Sequence, residues 1–98
     1  LKTEAGREVL LTLAKDADIL VENYRPGALR RMGLGYEDVK AVNPRLVYTS
    51  ISGFGQSGPW ADRPGFDLMA QAMSGVMSVT GYPDSPPVKA GVPVADIG

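Results

Sequence analysis

Two short apolar runs, Asp18–Glu22 and Leu46–Ser52, are separated by a stretch with helical spacing of its own. This alternation constrains the fold more than any other feature of the chain. The first run is bounded by polar residues, as a buried strand should be, and the second is rich in β-branched and aromatic residues. The connection between them is long enough for a crossover, so the strands are expected to pair in parallel within an α/β sheet. In such sheets ligands collect beyond the C-terminal ends of the strands. Those ends are Asn23-Tyr24-Arg25 and Ser52-Gly53-Phe54.

The remaining segments fill in around the strands. Val9, Leu10 and Leu13 recur at helical spacing and predict an amphipathic helix over 4–15. After the break at Asn23–Gly27, Pro26 suits the first position of a short helix from Ala28 to Met32, which Gly33 ends. Tyr36 to Val42 reads as a second short helix, stopped by Asn43-Pro44. Glycines and a proline make 53–64 a loop, and Phe66 to Val79 returns to helical spacing through Met69, Met73 and Val76. Pro83, Pro86, Pro87 and Pro93 mark an extended surface crossing from Gly81 to Pro93, and Val94-Ala95-Asp96 opens another element.

Composition narrows the chemistry. At 98 residues, 44% hydrophobic and 21% charged, the chain has the make-up of a globular domain with one modest core. Its formal net charge of −1 gives no pull toward nucleic acid or anionic membrane. No apolar run is long enough to span a bilayer, and Lys2, Glu4, Arg7 and Glu8 interrupt any signal-peptide core. Without cysteine there is no disulfide framework, thiolate nucleophile or Cys-type zinc site, and a cytoplasmic setting fits. Without histidine the commonest general base and metal ligand is missing. Catalysis here must run on carboxylates, tyrosines, lysines, backbone amides or groups supplied from elsewhere. The start at Leu1 and the stop at Asp96-Ile97-Gly98 suggest a piece of a longer enzyme.

Each local motif has a plain reading beside the functional one. Gly53-Phe54-Gly55-Gln56-Ser57-Gly58 matches G-x-G-x-x-G, but a dinucleotide site needs a helix to open within those glycines. Pro59, Trp60 and the Arg63-Pro64-Gly65 turn follow instead, which favours a mobile loop over a nicotinamide or flavin site. Arg25, Arg30 and Arg31 cluster after the first strand. Alone they read as a solvated basic face; at a strand's C-terminal end they gain weight as a phosphate-binding patch, since guanidinium forks match phosphate oxygens. Tyr24 beside them either stacks on a base or packs in the core. The Met69, Met73, Met77 stripe reads as core packing before it reads as an acyl pocket. Asp67 suits the dipole of its helix's first turn and needs no catalytic role. Asp96, after a small apolar run, reads as a helix cap, and nothing in the residues alone makes it a nucleophile.

Taken in order, these segments resemble the family III CoA-transferases of the CaiB–BaiF type, such as formyl-CoA transferase and carnitine CoA-transferase. The matching stretches are Asp18–Gly27, Arg31–Glu37, Asn43–Tyr48, Ser50–Pro59, Arg63–Asp67, Gln71–Gly75, Thr80-Gly81 and Ala95-Asp96. They cover nearly the whole chain, which makes the likeness specific where each motif alone is not. The resemblance implies a Rossmann-like parallel sheet flanked by helices, with residues 1–98 forming part of a large CoA-binding domain in an interlocked homodimer. It implies that Asn23, Tyr24 and Arg25 line the CoA nucleotide and that Arg31 meets its phosphates. By the same likeness, Arg63, Pro64, Gly65 and Phe66 border the CoA where its pantetheine arm enters the active site, and Asp96 is the catalytic aspartate. Coenzyme A and acyl-CoA are then substrates, with a small carboxylic acid as acceptor and no tightly bound cofactor.

The implied chemistry is attack of a carboxylate on an acyl-CoA thioester, giving an acyl–aspartyl anhydride and CoA thiolate. The acceptor acid attacks the anhydride, and CoA is passed on through an enzyme-bound thioester. An aspartate at a helix N-terminus is expected to stay ionised beside amides that favour a developing oxyanion. The family's glycine-rich loop lies downstream, so this piece alone is not expected to turn over. The related α-methylacyl-CoA racemases carry a histidine in a motif like Arg-Ala-Gly-His-Asp. Here the place reads Arg63-Pro64-Gly65-Phe66-Asp67, and phenylalanine carries no proton. Transfer is therefore favoured over racemisation or epimerisation, and a non-catalytic CoA-binding module stands as the alternative from another class.

Overall fold

The computed structural model describes residues 1–97, so Gly98, included in the expected 1–98 domain segment, lies outside the described residues. The chain forms two compact units, one from Leu1 to Asp62 and a second from Arg63 onward. The composition predicts one core. Among the described residues, the fully buried apolar side chains all lie in the first unit, and the buried residue of the second is polar.

The first unit opens with helix α1 (Glu4–Asp16), whose exposed N–H of Gly6 is met by the Thr3 hydroxyl at 3.2 Å. Strand β1 (Ile19–Glu22) follows, then the short helix α2 (Ala28–Arg31), helix α3 (Tyr36–Val42) and strand β2 (Val47–Ser50). The strands pair in parallel with Ile19 opposite Val47 and Glu22 opposite Ser50. This is the expected crossover. Both strands are shorter than their apolar runs, although the Val47 N–H donates to the Asp18 carbonyl and the Ile51 N–H to the Glu22 carbonyl, each at 2.8 Å, at the two ends of the ladder.

Ala14 of α1, Val39 of α3 and Leu46 form the centre of the core, with Leu11, Ala17, Leu20, Val42 and Tyr48 packed against it. Asn43 ties these helices together. Its amide nitrogen reaches the carbonyls of Ala14 (3.0 Å), Lys15 (3.2 Å) and Ala17 (2.9 Å), groups the last turn of α1 would otherwise leave unpaired. The strands alternate: Leu20 and Tyr48 face the helices, while Val21 and Val47 stay 60% and 57% exposed. The fully buried strand expected at Asp18–Glu22 is thus covered on one face among the described residues.

In the second unit, helix α4 (Asp67–Met73) starts one residue later than predicted and ends well before Val79. Gly75, at φ +84°, breaks it, and Val76–Val79 is a separate 3-10 turn. That break splits the methionine stripe. Met69 and Met73 are exposed on α4, so the expected core packing of these side chains is not found. The proline-rich 81–93 segment contains neither helix nor strand, and Val94–Ile97 forms the short helix α5.

Candidate functional site

The crossover brings the arginines to the tips of the strands. Gly27, at φ +76°, turns the chain from β1 into α2, and the N–H of the next residue, Ala28, donates to the Arg25 carbonyl at 2.9 Å. The turn points Arg31 back over its own start: its Nη1 lies 3.0 Å from where a Cβ on Gly27 would sit. Arg25, Arg30 and Arg31 all line one cleft of about 640 Å³, together with Glu22 and Ser50 from the strand ends. Three guanidiniums against the carboxylates of Glu22 and Asp62 leave the lining with an excess of positive charge. Such a surface suits a phosphorylated ligand, with forks to pair its oxygens.

Asn23 and Tyr24 are exposed beside this cleft in sequence but do not line it. The Tyr24 N–H is held by Glu22 Oε2 at 2.7 Å. Two other tyrosines do line it, and sequence reasoning passed them over. Tyr36 and Tyr48 meet edge-to-face with ring centroids 6.2 Å apart, and the Tyr48 hydroxyl donates to the Leu34 carbonyl at 3.0 Å. Burial, with the nearby charges of Glu22 and Asp38, raises the Tyr48 phenol above its ordinary value, so it remains a donor. The glycine loop holds no helix start: Phe54 packs edge-to-face on Trp60 at 5.6 Å, and no helix begins between β2 and Asp67. The dinucleotide fingerprint is absent from this loop.

Arg63, Pro64, Gly65, Phe66 and Asp96 belong to the second unit. Phe66 sits extended at the N-cap of α4 and is exposed, while Asp96 lies inside the first turn of α5 rather than at its cap. Its N–H donates to the Pro93 carbonyl at 3.2 Å, and the residue as a whole is exposed. The turn and the aspartate are joined by the residue after Phe66. Asp67 Oδ1 accepts from the Ala95 N–H at 2.8 Å, one residue before Asp96. Asp67 Oδ2 in turn accepts from Gln71 Nε2 at 2.7 Å. From sequence Asp67 was read only as suiting the helix dipole, and Gln71 was not singled out; the signal was a polar pair four apart in the otherwise apolar helix Asp67–Met73.

The first unit is thus a parallel α/β unit with arginines gathered at its strand tips, where such folds place their ligands, and the second carries an exposed carboxylate. The chain belongs to CoA-transferase family III, whose model matches residues 1–98. It is 50% identical over 91 residues to an acetyl-CoA:oxalate CoA-transferase of Acetobacter aceti, covering 93% of this chain and 23% of that protein. It is 50% identical over 97 residues to a succinate–glutarate CoA-transferase of Agrobacterium fabrum, covering 99% of this chain and 24% of that one. A crystal structure of a CaiB/BaiF family protein from Brucella suis superposes with a TM-score of 0.92 at 52% identity, covering 97% of this chain and 25% of its own. The chain therefore spans about a quarter of the length of the curated relatives it matches. No helix among the described residues is long and apolar enough to cross a membrane.

Proposed function

We propose that the whole protein transfers coenzyme A from an acyl-CoA to a free carboxylic acid, with Asp96 as the nucleophile. The observation that carries this reading is the exposed Asp96, one residue beyond a backbone amide fixed by Asp67, which directly follows the Arg63–Phe66 turn. Family membership supplies the reaction class. The chain's own residues supply a carboxylate in the open and a cationic cleft for the phosphates of CoA.

The steps balance without a redox partner. An Asp96 oxygen attacks the thioester carbon, the C–S bond breaks, and CoA leaves as thiolate from an acyl–aspartyl anhydride. The thiolate then attacks the aspartyl carbonyl, releasing the donor acid and leaving CoA on Asp96 as a thioester. The acceptor carboxylate attacks that thioester rather than the first anhydride, forming a second anhydride and freeing the thiolate again, which is the order that passes CoA through the enzyme thioester. Attack of the thiolate on the acceptor's acyl carbon yields the new acyl-CoA and regenerates Asp96.

On this reading Arg25 and Arg31, with Arg30, hold the CoA phosphates, while Asn23 and Tyr24 approach its nucleotide from the rim. Arg63, Pro64, Gly65 and Phe66 border the pantetheine arm. The chain forms part of a large CoA-binding domain, and the 98 residues alone do not turn over. The absence of cysteine supports a cytoplasmic setting, and family resemblance supports the interlocked homodimer.

In the full-length enzyme, Asp96→Ala is expected to lower CoA exchange on the order of a thousandfold or more. Calorimetry with CoA should give an affinity unchanged from the parent. Normal turnover by that variant would remove the proposal. Deuterium wash-in at the acyl α-carbon, without exchange, would point to epimerisation instead.

A further inference from the structure

The fully buried side chain of the second unit is an amide, and every hydrogen bond it makes leads toward Asp96. Gln71 is 1% exposed on α4. Its Oε1 accepts from the Ala90 N–H at 2.8 Å, and its Nε2 donates to Asp67 Oδ2 at 2.7 Å and to the Val92 carbonyl at 3.4 Å. The orientation of the amide follows from its partners, because a backbone N–H only donates and a carbonyl only accepts. Asp67 completes the set by accepting from Ala95 N–H at 2.8 Å. Two side chains one turn apart on α4 thus grip three points on the 90–95 segment, the last one residue short of Asp96. Pro93 restricts the backbone between the grips, and its carbonyl receives the Asp96 N–H at 3.2 Å.

A leucine at position 71 would fill the same space without the desolvation cost of a buried amide. The amide is informative because an apolar contact tolerates sliding, whereas this network fixes the segment's register through defined donors and acceptors. Apart from the bond between Gln71 and Asp67 themselves, the contacts these two side chains make outside α4 fall on the run that ends at Asp96. We propose that Asp67 and Gln71 are positioning residues that hold the 90–95 segment so that the Asp96 carboxylate is aimed at the thioester carbon. This inference rests on Asp96 being the nucleophile.

The network predicts its own rescue. Asp67→Asn sets an N–H against the Gln71 N–H, and Gln71→Glu sets a carboxylate against Asp67. In the double variant the order reverses at the short contacts: the introduced amide donates to the introduced carboxylate, whose other oxygen still accepts from Ala90, and only the 3.4 Å bond to the Val92 carbonyl is given up. In the full-length enzyme each single variant is expected to lower kcat about tenfold to a hundredfold, the scale of a small misplacement of a reacting group. KM for acyl-CoA should stay within about twofold, since the binding residues are untouched. The double variant should recover most of the lost kcat.

Single variants that keep parental kcat would overturn the proposal. So would a folded double variant, judged by its thermal melt, that is no faster than the poorer single. If the singles fail to fold, the double alone decides, parental kcat supporting the clamp and a folded but slow enzyme opposing it. Asp96→Ala in the same assay separates the two levels. An inactive Asp96→Ala beside fully active clamp variants removes only the positioning role; an active Asp96→Ala removes the nucleophile and the clamp together.

Discussion

The phenol of Tyr48 is packed against the core of the first unit and reaches the Leu34 carbonyl, tying β2 to the connection between α2 and α3. Burial comes first among the causes that raise its pKa from 10.0, followed by the charges of Glu22 and Asp38. The folded protein therefore holds this proton at pH values where the unfolded chain has released it. The associated stability is fully present below pH 10.0 and is lost as pH rises through the folded value. Tyr48→Phe should cost about 1 kcal/mol in neutral solution, from the lost hydrogen bond. Denaturant melts of parent and variant are expected to converge as the pH is raised above 10.0. A gap that stays constant across that range would show that the phenol's ionisation is not linked to folding.

At the scale of elements, the turn from β1 into α2 sets the arginine cleft, and two glycines separate its contributions. Gly27 (φ +76°) and Gly33 (φ +69°) both hold the left-handed conformation. Alanine at either should cost about 1 kcal/mol of backbone strain. Only Gly27 has the Arg31 guanidinium against its missing Cβ, whereas nothing lies within 4 Å of that position at Gly33. Gly27→Ala should therefore raise KM for acyl-CoA severalfold in the full-length enzyme and Gly33→Ala should not. Equal KM values for the two variants would separate Arg31 from CoA binding. These same elements show what the sequence made legible. The α3 bounds, the parallel pairing and the Gly33 stop follow from local signals such as Asn43-Pro44, β-branched runs and turn glycines. The end of α4 did not, because the methionine spacing runs on past Gly75 and helical periodicity does not register a single left-handed residue. The joint network of Asp67 and Gln71 was hidden for a different reason. Their partners, Ala90, Val92 and Ala95, lie far along the chain and are bound through backbone atoms, which carry no residue signature.

For the molecule as a whole, the two units divide the work in the proposed reaction. The first offers cationic charge at the strand tips; the second offers a carboxylate whose backbone is fixed by a buried polar pair. Parallel sheets normally bury both faces, yet Ile19, Val21 and Val47 remain open here, as do Met69 and Met73 on α4. On the proposed reading the rest of a family-sized protein packs against these surfaces. The order of matching stretches along the chain was readable from residues alone. The open faces were not, because their cover is not local to them.

The central claim is that CoA passes through a covalent bond to Asp96, and oxygen tracing tests it most directly. The full-length enzyme would turn over with an acceptor acid labelled with heavy oxygen in its carboxylate, followed by mass analysis of the peptide containing Asp96. When thiolate takes the acceptor's acyl carbon, the bridging oxygen of the second anhydride stays on the aspartate. The account predicts heavy oxygen in the Asp96 carboxylate that accumulates with turnover. Full exchange activity with an unlabelled Asp96 would contradict it.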